Sequence, residues 1–287
     1  MVKLSDLSKE DFMKYQNKLT EMLKFFDNIC KKYDLTYYLT CGSCLGAVRH
    51  GGFIPWDDDL DVAMPRESYE KLWSIYNNNY SGNRYVLCRT TKDQCIRFHI
   101  MQLRDSETTF IYEHSIDLDI CHGIKIDICP IDGCPDSVFK RFGQSMYAQL
   151  FGLFAAQRIP NQASKAKQLL AKIILNMIPS KTLRTKIWQF AEKQVSKYPI
   201  ENCSSVRCLE GKPYEKRIFG EPQYLPFEGE LRPVPSCFDE YLKIGYGDYM
   251  IFPPEEKRRP ESVVSCFDLN RSYRDYKGVE YLITDHD

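Results

Sequence analysis

The stretch from Thr40 to Met64, TCGSCLGAVRHGGFIPWDDDLDVAM, constrains this chain more than any other. Asp57, Asp58, Asp59 and Asp61 place four carboxylates within five residues. Such a cluster is unfavourable unless water solvates it or a cation neutralises it. An acidic surface turn would satisfy the first condition. Leu60, Val62 and Met64 are interleaved with the carboxylates and argue instead for a half-buried extended segment within Phe53 to Met64. Extended side chains alternate between faces. Asp57, Asp59 and Asp61 then share one face, and Asp58, Leu60 and Val62 the other. Upstream, the apolar run Tyr37-Tyr38-Leu39 leads into Gly42–Ser43. A basic, glycine-rich link follows, with Arg49, His50, Gly51 and Gly52.

Carboxylates two residues apart on an extended segment form an all-oxygen platform. That suits Mg²⁺, which keeps several waters and takes one or two protein carboxylates together with substrate phosphates. Gly42 and Ser43, opening a helix after a strand, offer free backbone N–H groups to a phosphate. A phosphate cradle followed by a metal platform is a phosphoryl-transfer arrangement.

A second acidic element lies downstream. Ile124-Lys-Ile-Asp-Ile-Cys129 alternates strictly and reads as a half-buried strand, with Ile124, Ile126 and Ile128 toward the core and Lys125, Asp127 and Cys129 opposite. Asp127 is either an ordinary solvent-facing carboxylate or a third member of the site, completing the metal set or taking a proton from an attacking hydroxyl. Asp132, before Gly133, reads as a turn residue.

Gly-Ser followed by Asp-apolar-Asp-apolar resembles the signature of the nucleotidyltransferase fold. The longer wording, GSCLGAVRHGGFIPWDDDLDVAM with Tyr69-Glu70-Lys71-Leu72 after it, resembles the LicD family, which includes bacterial phosphocholine transferases and has the animal fukutin-related proteins as relatives. IKIDICPIDG (124–133) is similar to the family's second acidic strand and QLRDSETTFI (102–111) to its Lys/Arg-Asp-x-x-Thr segment. FEGELRPVP (227–235) and YLKIGYGDYMIFPPEEKR (241–258) resemble its C-terminal block. The likeness covers about residues 15–135 and 219–276. It implies an α/β (α+β) fold, a nucleotidyltransferase-like mixed sheet flanked by helices.

The resemblance also implies a Mg²⁺-dependent transferase, with Mn²⁺ as the substitute ion. The enzyme would move a phosphorylated alcohol, phosphocholine first, from a CDP-alcohol to a hydroxyl of a cell-surface glycan and release CMP. Teichoic acid, lipopolysaccharide and capsule polysaccharide are the acceptor classes it brings to mind, free or still lipid-linked. On this reading Asp59, Asp61 and Asp127 are catalytic and hold the metal, with Asp57 as a further ligand. Gly42 and Ser43 hold phosphates, Arg49 and Arg104 balance their charge, and Trp56 and Glu228 approach the substrate. A choline head calls for a cation–π cage, for which Trp56, Tyr246 and Tyr249 are candidates. CDP-glycerol or CDP-ribitol as donor stays open, as do true nucleotidyl transfer from an NTP and, behind these, a non-catalytic binding module.

Composition narrows the classes. Lys plus Arg and Asp plus Glu number 39 each, so a globally basic nucleic-acid binder is excluded. The start, MVKLSDLSKEDFMKYQ, has no apolar signal region, and no run reaches the length of a membrane span, which sets the expectation of a cytoplasmic protein, at most peripheral at the inner face of the membrane. Cys41-x-x-Cys44 brackets Gly42–Ser43 and has no second pair to complete a zinc site. The twelve cysteines therefore read as buried or half-buried free thiols.

Along the chain, Phe12, Tyr15, Leu19, Met22, Leu23, Phe26 and Ile29 predict a helix over 8–33, opened by Ser8 with Asp11 three residues on. Strands are expected at 37–40, 85–89, 96–104 and 108–112, and helices at 66–77, after Pro65, and 238–244. Phe227-Glu228-Gly229 falls in a short hairpin. We read 1–287 as one catalytic domain, with a basic helical insertion at 137–200 and the block 219–276 returning to the core. Between Ser137 and Ala191 there is no Asp or Glu, against nine basic residues: Lys140, Arg141, Arg158, Lys165, Lys167, Lys172, Lys181, Arg184 and Lys186. The rest of the chain therefore carries −9. Two apolar stripes run through the segment, one through Phe139, Phe142, Met146, Leu150 and Phe154, the other through Leu169, Leu170, Ile173, Ile174, Met177 and Ile178. The basic face is turned to water, to an anionic nucleotide-bearing cleft, or to an anionic membrane surface.

Overall fold

The computed structural model describes residues 1–157, 159, 164–208 and 211–283; Arg158 of the basic segment lies outside them. The chain forms helices and a mixed multi-strand sheet, the α/β class expected. It divides into two compact units. The first comprises Met1–Cys88, Gln102–Cys129 and Arg217–Asp287, the second Arg89–Met101 and Pro130–Lys216.

In the first unit, helix α1 (Lys9–Lys32) begins where the sequence indicates. Ser8 Oγ accepts the Asp11 N–H at 3.1 Å and donates to the Asp11 carboxylate at 2.7 Å. Its apolar face, from Tyr15 through Leu19, Met22, Leu23 and Phe26, is buried. Strand Tyr38–Leu39 leads into α2 (Cys41–His50), strand Asp61–Pro65 into α3 (Arg66–Asn79). The sheet order is Tyr38–Leu39, Asp61–Pro65, Lys125–Cys134, Met101–Asp105, Tyr85–Cys88. Ile124, Ile126 and Ile128 are buried, as alternation required.

The hairpin Gln223–Phe227 with Glu230–Val234 is tied to α1 through a buried ion cluster. Arg232 donates to Asp27 at 2.6 Å and to Glu230 at 2.9 Å. Lys31 lies 2.7 Å from the Asp27 carboxylate, and the Tyr37 hydroxyl donates to it at 2.8 Å. Glu228, read from the sequence as part of a short hairpin, forms its turn with Gly229, at φ 49° and 78°, the left-handed pair a two-residue turn demands.

In the second unit, the residues of strand Lys125–Cys134 beyond Cys129 pair with Ser205–Cys208, which pairs with Tyr214–Glu215. The unit also holds α4 (Val138–Ala156), α5 (Lys165–Met177) and α6 (Lys181–Val195). Two expectations are corrected here. Asp132 is not a turn residue: it is a buried strand residue in register with Arg207 of the neighbouring strand. The strand expected over 96–104 starts only at Met101. Before it, Thr90 Oγ1 accepts the Ile96 N–H and donates to the Phe98 carbonyl, so a side chain takes the bonds a ladder would have used.

Candidate active site

The carboxylates of the core stretch line a cavity of about 670 Å³ inside the first unit, a size suited to a small-molecule ligand. Asp57, Asp59 and Asp61 stand on its wall with Gly42, Arg49 and Trp56. The last helix of the chain, α7 (Phe238–Tyr246), and the loop after it add Tyr246, Tyr249 and Phe252.

The alternation expected for the acidic run is what the chain adopts. Asp58 turns away from the cavity. Its carboxylate accepts the N–H groups of Glu261 and Ser262 at 2.9 and 2.7 Å, and its carbonyl accepts the Tyr15 hydroxyl at 2.7 Å. The other three remain together, and burial and mutual repulsion raise all three above the ordinary carboxylate range. Asp57 is pushed up to about 8 by burial first and then by the charges of Asp59 and Asp58. Asp59 is raised by burial, against the pull of Lys125. Asp61 is raised well above normal by burial and then by Asp59 and Asp127.

Asp57 Oδ2 is buried without a hydrogen-bond partner. It lies against Gly42, where a Cβ would come within 2.4 Å of it. Only glycine allows that approach. An orphaned carboxylate oxygen, two more carboxylates that resist ionisation, and no nitrogen or sulfur among them form a donor set fitted to a hard divalent cation. Among the described residues, no group of three or more His, Cys, Asp or Glu is already gathered to hold an ion.

Asp127 is held differently from the other three. Lys125 forms an ion pair with one of its carboxylate oxygens, and Gln102 Nε2 donates to the other at 2.7 Å. Gln102 is fixed in turn by Arg104, whose Nε and Nη2 both donate to Gln102 Oε1 at 3.0 and 2.5 Å while Nη1 donates to the Cys121 carbonyl at 2.7 Å. Burial works against a charge on Lys125, but Asp127, Tyr112 and Asp59 outweigh it and raise its pKa. The chain Arg104–Gln102–Asp127–Lys125 thus aims one carboxylate at its neighbours. Arg104 was expected to balance phosphate charge. It is buried behind Gln102 and does not line the cavity.

Ser43 also stands behind the wall. Its hydroxyl accepts the Asp61 N–H at 2.9 Å and pins α2 to the acidic strand. Glu228 accepts the Phe53 N–H at 2.9 Å and steadies the glycine link, apart from the cavity lining. Arg49 does reach the wall. It donates to the Tyr249 carbonyl at 3.0 Å and its guanidinium lies 4.5 Å from the Phe252 ring centre. Arg258, unforeseen from sequence, covers the same ring at 5.3 Å and Trp56 at 5.9 Å. Cys41 is exposed on the cavity wall, an exception to the expectation of buried or half-buried thiols; none of the twelve cysteines is joined in a disulfide. Lys125 was legible as a neighbour of Asp127 on the same strand face, whereas nothing local marked Gln102 or Arg258.

Arg104-Asp105-x-x-Thr108 closes a turn beside this network. Arg84 grips Asp105 through two bonds of 2.8 and 2.6 Å. The Thr108 hydroxyl donates to the Asp105 carbonyl and accepts the Ile124 N–H.

Residues 34–119, which carry the cradle and the acidic run, match the LicD/FKTN/FKRP nucleotidyltransferase domain. The chain is 27% identical over 259 residues to the lipopolysaccharide cholinephosphotransferase LicD of Haemophilus influenzae, covering 86% of this chain and 94% of that protein. It is also 32% identical over 117 residues to an uncharacterized protein of Rickettsia prowazekii, 34% of this chain and 43% of that one. A third likeness, 24% over 124 residues, is to mannosyltransferase regulator 4 of Saccharomyces cerevisiae, 41% of this chain and 10% of that protein. The resemblance to the LicD family read from the sequence is borne out by these likenesses.

Proposed function

We propose that this chain transfers a phosphorylated alcohol, phosphocholine foremost, from a CDP-alcohol to a glycan hydroxyl. The observation that carries the reading is the trio Asp57, Asp59 and Asp61 on a cavity of about 670 Å³, in a chain similar along most of its length to a lipopolysaccharide cholinephosphotransferase. Asp59 and Asp61, with Asp57, would hold Mg²⁺, whose charge would neutralise the diphosphate and the departing CMP. The chain's own groups do the rest. The backbone of Gly42 receives a phosphate at the start of α2. Arg49, on the cavity wall, offers a second cation. Asp127 takes the proton of the acceptor hydroxyl as its oxygen bonds to the phosphocholine phosphorus. The bond from that phosphorus to CMP breaks in the same event, and CMP leaves with its electron pair. Both Asp127 oxygens have partners, but each keeps a further lone pair, and Lys125 and Gln102 fix its direction. The faces of Trp56 and Tyr246 suit a quaternary ammonium.

The proposed enzyme is one catalytic domain whose segment 137–200 is an insertion. Incubation with CDP-choline, Mg²⁺ and a deacylated lipopolysaccharide tests the reaction, read by CMP release. CMP appearing only with acceptor and cation supports it. Release with CDP-glycerol or CDP-ribitol in place of CDP-choline reassigns the alcohol, and pyrophosphate from CTP without CMP from any CDP-alcohol moves the chain to nucleotidyl transfer.

A further inference from the structure

Helices α4 and α5 each have two apolar faces, one spent on the interior of the second unit and one turned outward. On α5, Ala171 and Leu175 are buried. A helix advances about 100° per residue, so Leu169, Leu170, Ile173 and Met177 share an arc of roughly 100° away from that buried side. They are 60, 57, 46 and 76% exposed. On the same wheel Lys165 and Lys172 border one edge of the arc and Lys167 the other, all three exposed. On α4, Ala148, Phe151 and Ala155 are buried, while Val138, Phe139, Phe142 and Met146 are 76, 90, 67 and 53% exposed on the opposite side.

The charge around these faces is all of one sign. The stretch 137–191 has no Asp or Glu. Arg141 and Arg184 are engaged with backbone carbonyls, the first with Pro135 and the second with Ile178 and Leu175. Lys140, Lys165, Lys167, Lys172, Lys181 and Lys186 are exposed, and among the described residues none has an acidic partner. Apolar side chains outward with lysines at the rim is the pattern of a helix lying in a membrane interface. There the chain stems follow the apolar surface and the ammonium groups reach lipid phosphates.

We propose that α5, assisted by the exposed side of α4, docks this protein on an anionic lipid bilayer. Charge complementarity selects that occupant. A second copy joined through the same face would set lysines against lysines, whereas an anionic headgroup layer meets both the apolar arc and its rim. At 13 residues α5 is too short to span a bilayer, and among the described residues no helix is long and apolar enough to cross one. It therefore lies in the interface plane. The inference does not depend on the catalytic proposal and is read without substrate.

Flotation of the whole protein with phosphatidylcholine vesicles, and with the same vesicles containing phosphatidylglycerol, tests it. The protein rises with the anionic vesicles at low salt and stays behind with the neutral ones. Lys165→Gln/Lys167→Gln/Lys172→Gln weakens binding by about 100-fold, some fivefold per lysine. Leu169→Gln/Ile173→Gln/Met177→Gln weakens it at least about tenfold, with Tm unchanged because these side chains support no core. Equal flotation with neutral vesicles, none with either, or full binding by the lysine variant overturns the proposal. So does a wild-type dimer that the apolar variant dissociates.

Discussion

The acidic wall of the first unit and the basic helices of the second both concentrate charge of one sign, and they do so in opposite surroundings. Asp57, Asp59 and Asp61 are crowded and half-buried on the cavity wall, and their carboxyls respond by resisting ionisation. The six lysines of α4–α6 named above stand in water. Crowded, half-buried charge of one sign costs stability unless a counter-ion offsets it. Charge in water costs the fold little and is available to a partner at long range. A third arrangement lies between them: Asp27 is buried but fully partnered by Arg232, Lys31 and Tyr37, and so serves the fold alone.

The largest effect should come from emptying the acidic cluster. Asp59→Asn and Asp61→Asn each lower CMP release by about 10³-fold or more, because the electrostatic help to the departing phosphate is the main contribution to catalysis. Without added cation the same variants should melt no lower than the parent, since each removes repulsion. Lost turnover together with a lower metal-free Tm would show that the cluster is structural. Breaking the partnered charge does the reverse. Asp27→Ala takes from buried Arg232 its buried partner, leaving only Glu230, and should cost about 3–5 kcal/mol in urea unfolding, with turnover of the folded fraction retained.

His122 extends the comparison to a charge that must enter the interior. It is buried, its Nε2 bonds the Leu118 carbonyl at 3.0 Å, and burial pushes it down to about 4. An unfolded histidine titrates near 6.5, so between pH 6.5 and 4 the unfolded chain binds more protons than the folded one. Its contribution is complete above about pH 6.5 and is lost as pH falls through 4, about 3 kcal/mol in all. His122→Phe should flatten that part of the stability–pH curve; an unchanged slope places the proton uptake elsewhere.

Lys125→Met keeps most of the bulk beside Asp127 and removes its counter-charge. A fall of about 10–100-fold in kcat with KM little changed is expected. A KM effect alone would make Lys125 a substrate contact. At the small end, exchanging any one exposed lysine of α5 for glutamine should move stability by no more than about 0.5 kcal/mol, the counterpart of the large effects inside.

Much of this was legible in the sequence. Helix α1, its Ser8 cap and the α/β class follow from local periodicity and capping chemistry, which tertiary context had no reason to override. The period-2 rule separated Asp58 from its three neighbours and grouped Ile124, Ile126 and Ile128 in the core. Residue chemistry alone also marked 137–191 as one-signed and amphipathic. Elsewhere the sequence misled. Asp132 looks like a turn residue, yet a strand distant in sequence, Ser205–Cys208, pairs with its own and makes it an interior strand residue. Arg104 looks like a phosphate ligand, yet it spends its donors on Gln102 and a carbonyl. Ser43 looks like part of the cradle, yet its hydroxyl joins helix to strand.

The sequence by itself therefore determined which residues bear charge, which faces are apolar, and that a carboxylate platform follows a glycine cradle. These properties depend on composition and on a repeat of two or 3.6 residues, and both are local. Only the tertiary structure decided which of those charges meet. It brought Gln102 and Lys125 to Asp127, Asp57 against Gly42, Tyr246 to the cavity wall and Arg232 to Asp27. A pairing between residues as much as 205 positions apart leaves no period in the chain and is fixed only when the sheet and the C-terminal hairpin close on the helices.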